Sequence, residues 1–205
     1  MAIVSRLKRP TCNDSLTRRK PPILESTDEE LIESHQRGDD AARALLVQRH
    51  LARVRNFLFQ LVLNHDAADE LTQEVFVNVL RGLNGFRGEA AFSTWLHRVA
   101  LNAAYKFLKR ARRYQEFIDN DLKQKEAAIS AKPEARLMET EQQVRITQAL
   151  GTLSPQLRAA IVLTAMQGMS AIEAAELEEC PVGTIYWRIH EARRLLQTEL
   201  KGWIE

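Results

Sequence analysis

No stretch of this chain alternates apolar and polar residues over the length of a strand. Helix-start signals instead recur along it, each followed by apolar residues at three- and four-residue spacing. That combination constrains the fold to an all-α one. Thr27 and Glu30 form a capping box, and Gly38 ends the short helix it opens. Asp40 heads a longer helix to about Leu63, and Asp66 a third to about Arg81. After a Gly-containing loop, Asn84 to Glu89, Ser93 heads a fourth reaching Arg113. Four helices in this span make a compact bundle. Residues 114–136 lose the period, mix charges and include Pro133, so they read as a flexible linker. Helical spacing resumes near Leu137 and stops at Gly151. Ser154 and Pro155 then supply an N-cap and a proline at the first helical position, for a helix ending at Gly168. Ser170 caps a short helix to about Glu179, and Pro181 opens the last one. The expected organisation is a tail over 1–25, a helical domain over 26–113, the linker, and a second small helical domain over 137–205.

Composition narrows the function classes. The chain has 205 residues, 45% hydrophobic and 27% charged, enough for two small cores. No apolar run approaches the ~20 residues of a membrane-spanning helix, so no membrane insertion is expected. The first 25 residues lack the apolar region of a signal peptide, which makes the cytoplasm the expected compartment. Cys12 and Cys180 stand alone without CxxC spacing, which excludes a disulfide framework and a thiol-rich metal site. The histidines at 35, 50, 65, 97 and 190 are scattered, and none of the familiar nucleotide-binding or hydrolase motifs occurs. No catalytic residue, metal or cofactor is therefore expected. Asp69, Glu70 and Glu74 read as solvated carboxylates, not as an acid–base pair.

The net charge of +2 names no partner, but the charge is unevenly spread. The tail carries six basic residues with Pro10, Pro21 and Pro22, and reads as a disordered segment that is solvated or loosely attached to nucleic acid. On the fourth helix Leu96, Val99, Ala100, Ala103 and Phe107 have core spacing. Arg98, Asn102, Lys106, Lys109 and Arg113 form a separate stripe, and from Arg98 to Arg113 six basic residues meet no acidic one. Ordinary surface helices interleave the two signs. An unpaired cationic stripe suits phosphates, and an amide within it can bond a base edge; plain solvation is the alternative. The aromatic residues before the stripe, in Phe86-Arg87-Gly88-Glu89-Ala90-Ala91-Phe92-Ser93-Thr94-Trp95, suit stacking on unpaired bases, although Phe92 and especially Trp95 equally suit a core. The third helix has the opposite polarity. Asp66, Asp69, Glu70, Gln73 and Glu74 share a face without basic partners at i+4, open to a basic protein surface or to solvent. Ser170 to the last helix has the pattern of a helix-turn-helix or of an αα-hairpin. Ile185, Ile189, Ala192 and Leu196 point inward there. Thr184, Tyr186, Trp187, Arg188, His190, Glu191 and Arg194 face away, as on a helix that enters a major groove. Residues 147–205 hold five basic and seven acidic residues, which argues against strong DNA affinity by this part alone.

Three of these stretches together resemble the extracytoplasmic-function (ECF) group of the sigma-70 family, the small two-domain RNA polymerase sigma factors. They are Asp69-Glu-Leu-Thr-Gln-Glu-Val-Phe76, Phe86-Arg-Gly-Glu-Ala-Ala-Phe-Ser-Thr-Trp-Leu96 continuing to Asn102, and Cys180-Pro-Val-Gly-Thr-Ile185 with Ala192-Arg-Arg194. The resemblance covers about residues 27–200. It implies a sigma-2-like four-helix bundle and a sigma-4-like helix-turn-helix domain, in a transcription initiation factor that binds core RNA polymerase and promoter DNA. Asp69, Glu70, Gln73, Glu74 and Phe76 would dock on the clamp coiled coil of the β′ subunit. Phe86, Arg87, Phe92, Arg98, Asn102, Lys106 and Lys109 would capture the unpaired −10 element, with Asn102 at the pocket for a flipped base. Thr184, Tyr186, Trp187, Arg188, His190 and Glu191 would read the −35 element, this domain resting on the β flap. The linker would thread toward the RNA exit channel. A separate anti-sigma factor is the regulator the family implies, since no further domain follows Glu205. The chain departs from the family pattern at Thr164 and Glu191, where a basic residue is common, and at Tyr186 and Trp187. Glu178 occupies a usually apolar position and Glu179 a usual turn glycine.

Two other classes compete. A free-standing helix-turn-helix regulator would bind duplex DNA without polymerase, but needs neither the acidic helix nor the aromatic loop. A helical adaptor without DNA contact would leave the cationic stripe unexplained.

Overall fold

The computed structural model describes residues 26–122 and 141–201; the tail expected over 1–25 and most of the linker lie outside them. Among the described residues every regular element is helical. The first half contains α1 (Asp28–Gln36), α2 (Asp40–Val62), α3 (His65–Gly82), a single 3₁₀ turn (Leu83–Gly85) and α4 (Phe92–Leu122). The second contains α5 (Glu141–Gly151), α6 (Pro155–Ile161), a π turn (Val162–Met166), α7 (Ala171–Leu177) and α8 (Val182–Glu199).

The helix starts follow the capping chemistry, shifted where two cap formers compete. At α1 the Thr27–Glu30 capping box is reciprocal. For α2 the cap is Asp39, whose carboxylate accepts from Ala41 and Ala42 N–H, one residue earlier than expected. For α3 it is Asn64, which accepts from Ala67 N–H at 2.8 Å, two residues before Asp66. Helix α4 already begins at Phe92, so Ser93 lies inside it. It also runs beyond Arg113 to Leu122 into the expected linker, because no glycine or proline interrupts it before Pro133. In the second half the Ser170–Glu173 capping box and Pro181 open α7 and α8 as expected.

The first core is built from Leu31, Leu46, Phe57, Leu58, Val75, Val79 and Leu83 with Phe92, Leu96 and Leu101 of α4. Each such side chain, fully buried, contributes about 1.5–3 kcal/mol. The buried face of α4 is rotated from the one expected: His97, Leu101 and Ala104 are buried, while Val99, Ala103 and Phe107 are only partly so. On this side His97 meets Phe57 of α2, and α7 of the second half also packs on α4, neighbours that periodicity within one helix does not reveal. In the second core Leu157, Ala160, Ile161 and Leu163 meet Ala174 and Leu177, with Ile185 and Ala192 of α8.

His97 sits within this packing. Its Nδ1 is 2.6 Å from the Ser93 carbonyl oxygen, and its ring lies edge-on to Phe57. Burial holds its pKa below the ordinary histidine value of 6.5; Arg53 and His50 act in the same sense, against hydrogen bonds to Ser93 and Gln167. The unfolded chain therefore takes up the proton first. The stability that neutral His97 confers is complete above about pH 6.5 and is lost as the pH falls below it, levelling off under the folded-state value. Urea midpoints are expected to drop between pH 7.5 and 5 in the native chain, and to drop less in His97→Gln.

Candidate nucleic-acid interface

The loop between the 3₁₀ turn and α4 is held by two devices. Gln36 of α1 donates to the carbonyls of Leu83 (3.1 Å) and Phe86 (3.3 Å). Phe86, Phe92 and Trp95 form an aromatic cluster with ring centroids 5.2–6.0 Å apart, a separation at which tilted and edge-on pairs are favourable. Beside it opens a cleft of about 600 Å³, lined by Gly82, Phe86, Arg87, Glu89, Trp95 and Arg98 among others. Gly82 forms its floor under Trp95: a Cβ there would come within 3.3 Å of the indole. Trp95, expected to be a core residue, thus serves both purposes, with one part of its ring on the cluster and another in the cleft. Phe92 is 2% exposed and supports the cleft from behind without reaching its surface. Asn102 is exposed on α4 and does not line this cleft. Lys106 and Lys109 are exposed farther along the same helix.

On α3, Glu70, Gln73 and Glu74 are exposed, together with Val77. The acidic face is less free than its own helix suggests. Asp69 is engaged by the guanidinium of Arg55 on α2, through Nε and, at 3.2 Å, through Nη2. That contact holds the Arg55 pKa above its ordinary value, first through the hydrogen bond itself. A search for partners at i+4 within α3 cannot find a cation supplied by another helix. Phe76 is buried, so its part in this face is to fix α3 on the bundle.

In the second half α7, a turn and α8 form the expected helix-turn-helix. Glu179 stands at φ 52°, the left-handed conformation for which glycine is the usual residue. Tyr186 and Trp187 project into solvent, each 62% exposed, and His190 is exposed beside them. Two of the expected −35 residues are engaged inside the chain. Arg188 donates to Glu178 at 2.9 Å and is not aimed outward. Glu191 accepts twice from Arg194, a contact that keeps its carboxyl below the usual range. Thr184 is partly covered in the first turn of α8. Among the described residues no group of His, Cys, Asp and Glu could hold a metal ion, and no helix is long and apolar enough to cross a membrane.

Residues 46–114 match the model for sigma-70 region 2, and residues 143–196 that for sigma-70 region 4. Over 182 residues the chain is 32% identical to the ECF RNA polymerase sigma-E factor of Haemophilus influenzae, covering 85% of this chain and 96% of that one. This chain is an ECF sigma factor of the sigma-70 family. It is 34% identical over 182 residues to the sigma-E factor of Escherichia coli K12, with 85% and 95% of the two chains covered. With the sigma-H factor of Pseudomonas aeruginosa it shares 32% identity over 189 residues, covering 87% and 96%. Among solved structures, CnrH in complex with the cytosolic domain of CnrY superposes with a TM-score of 0.62 at 26% identity, over 86% of this chain and 98% of that one. RpoE of Bartonella quintana, in complex with the anti-sigma factor NepR, gives 0.59 at 28% identity, over 76% and 94%. As a sigma factor the protein is a transcription initiation factor that binds core RNA polymerase and directs it to promoter DNA. The free-standing regulator offers no place for a region 2 and is not favoured.

Proposed function

We propose that this sigma factor divides its work between two units, residues 26–113 and 137–205, joined by the linker between them. The first docks on the β′ clamp coiled coil through Glu70, Gln73 and Glu74, the acidic face of α3 left open to solvent. It captures the unpaired −10 element where the aromatic cleft meets the cationic stripe. There Phe86 and Trp95 offer stacking faces, Arg87, Arg98, Lys106 and Lys109 neutralise phosphates, and Asn102 hydrogen-bonds a base that has left the stack. The second unit rests on the β flap and presents Tyr186, Trp187 and His190 to the major groove at the −35 element. These aromatic side chains favour apolar contact with thymine methyl groups over the bidentate arginine reading of guanine. The observation that carries this reading is the aromatic cleft, lined by Arg98, lying on the same helix as the exposed Lys106 and Lys109, which form no ion pair among the described residues; only Arg112, farther along, is taken up by Glu116.

The protein works in the cytoplasm, as a binding protein and not as an enzyme. The Bartonella quintana neighbour was solved with an anti-sigma factor, and we extend that mode of regulation to this chain. Co-elution of the purified protein with core RNA polymerase on a sizing column tests the docking assignment, and absence of a complex would refute it. Asn102→Ala is expected to lower transcription about tenfold from a promoter selected with the reconstituted holoenzyme, with polymerase binding intact. Loss of both would remove the base-reading role from Asn102.

A further inference from the structure

Helix α4 outruns the bundle that holds it. Its last side chains packed on the core are Phe107 and Leu108, and both are only partly buried. From Lys109 to Glu116 every residue is exposed, more than two helical turns without a covering neighbour. Helices in folded proteins owe most of their stability to one packed face, and this stretch has none among the described residues. Its charge is one-sided. Lys109, Arg110, Arg112 and Arg113 meet no acid until Glu116, which takes up Arg112 at 2.8 Å. Arg110 and Arg113 form no ion pair among the described residues, and the guanidinium carbon of Arg110 lies 6.0 Å from the centroid of the Phe107 ring. Tyr114 stands beside them, one helical turn from Arg110. At 67% it is the most exposed large hydrophobic side chain among the described residues.

We propose that Arg110, Arg113 and Tyr114 form a third promoter contact, on the duplex DNA between the −10 and −35 elements. The helix acts as a ruler. Arg98 lines the cleft at its N-terminal end, and Tyr114 lies sixteen residues farther on. At 1.5 Å per residue that is about 24 Å along the axis. The same length of duplex holds about seven base pairs, so the two ends of α4 hold different stretches of DNA. From its C-terminal end the chain leads to the unit that reads the −35 element, which sets this end of α4 on the upstream side. The chemistry is that of backbone contact. Two guanidinium groups and a phenol hydroxyl donate to phosphate oxygens, and such contacts position the protein without selecting a base. Beyond Tyr114 the sequence turns acidic, with Glu116, Asp119 and Asp121, a polarity that phosphates repel. The inference rests on the −10 reading proposed above for the cleft and the stripe.

The test uses holoenzyme reconstituted with the full-length chain, and two labelled probes cut from a promoter selected with it. One probe is the unpaired −10 strand alone, and the other adds about ten base pairs of duplex on its upstream side. Native holoenzyme is expected to bind the longer probe more tightly. The double variant Arg110→Gln/Arg113→Gln should lose most of that gain and bind the −10 strand alone as the native chain does. On the longer probe its dependence of log Kd on log salt should flatten by about 1.8, at about 0.9 for each duplex phosphate released. Tyr114→Ala should weaken the longer probe about fivefold, the loss of one hydrogen bond, with the salt dependence unchanged. All three residues are exposed, and thermal unfolding checks that the fold is kept. Native-like binding of both probes by the variants would overturn the contact. Equal losses on both probes would overturn it too, by placing these residues in the −10 site itself. A failure of the −10 reading shows separately, as native holoenzyme that does not hold the unpaired strand alone.

Discussion

Glu74→Lys is expected to lower affinity for core RNA polymerase at least about 100-fold, with the fold unchanged. Reversing one charge in an interface replaces an attraction by a like-charge contact and costs several kcal/mol, of which about 2.7 kcal/mol already amounts to two decades. Glu74 suits this experiment because it is exposed and forms no ion pair among the described residues, so its replacement breaks nothing within the bundle. Exposed substitutions of this kind stay within about 0.5 kcal/mol in stability. Asp69 would give an ambiguous answer, since its loss also frees Arg55 of α2. Affinity should be measured by competition against a labelled native chain, with circular dichroism and thermal unfolding as the fold control. Unchanged affinity would remove the acidic face of α3 from the docking surface.

Helix positions were legible from the sequence because they depend on chemistry within a few residues. Thr27 with Glu30, and Ser170 with Glu173, form the reciprocal caps that their spacing announces. The cationic stripe was legible for the same reason, since Arg98 to Arg113 lie on one helix. What escaped depends on partners distant in the chain. Arg55 lies 14 positions from Asp69, and Glu178 lies 73 from Tyr105; no periodicity joins them. Trp95 read as core because aromatic residues usually are, and only the placement of Gly82 beneath its ring leaves part of it in a cleft. Arg188 read as groove-facing because it lies beside Trp187 on the polar side of α8. Its long side chain folds back to Glu178, ten positions earlier at the end of α7.

Arg158→Met should destabilise the protein by about 3 kcal/mol, the largest effect expected of any single polar side chain here. Arg158 is 8% exposed and lacks a carboxylate partner among the contacts of its guanidinium; burial alone pulls its pKa down. It survives there because it donates to three backbone carbonyls: Leu150 at 2.9 Å, Leu61 at 2.7 Å and Leu153 at 3.1 Å. Leu61 lies in the last turn of α2 and Leu150 in the last turn of α5, so two of these carbonyls belong to helix ends, where acceptors are left over. A cation placed there also meets the negative ends of both helix dipoles. Methionine fills much of the volume and donates nothing. Each carbonyl left buried without a partner costs about 1–3 kcal/mol, moderated where water can enter. Arg158→Lys should recover only part of the loss, because one ammonium cannot span three carbonyls as a planar fork does. Two of the three bonds lie wholly within the second half, and the third ties it to α2. Urea unfolding of the native chain, Arg158→Met and Arg158→Lys checks this. A shift under 0.5 kcal/mol in Arg158→Met would mean that the guanidinium is solvated in solution and that the α2, α5 and α6 junction is held by its apolar contacts alone.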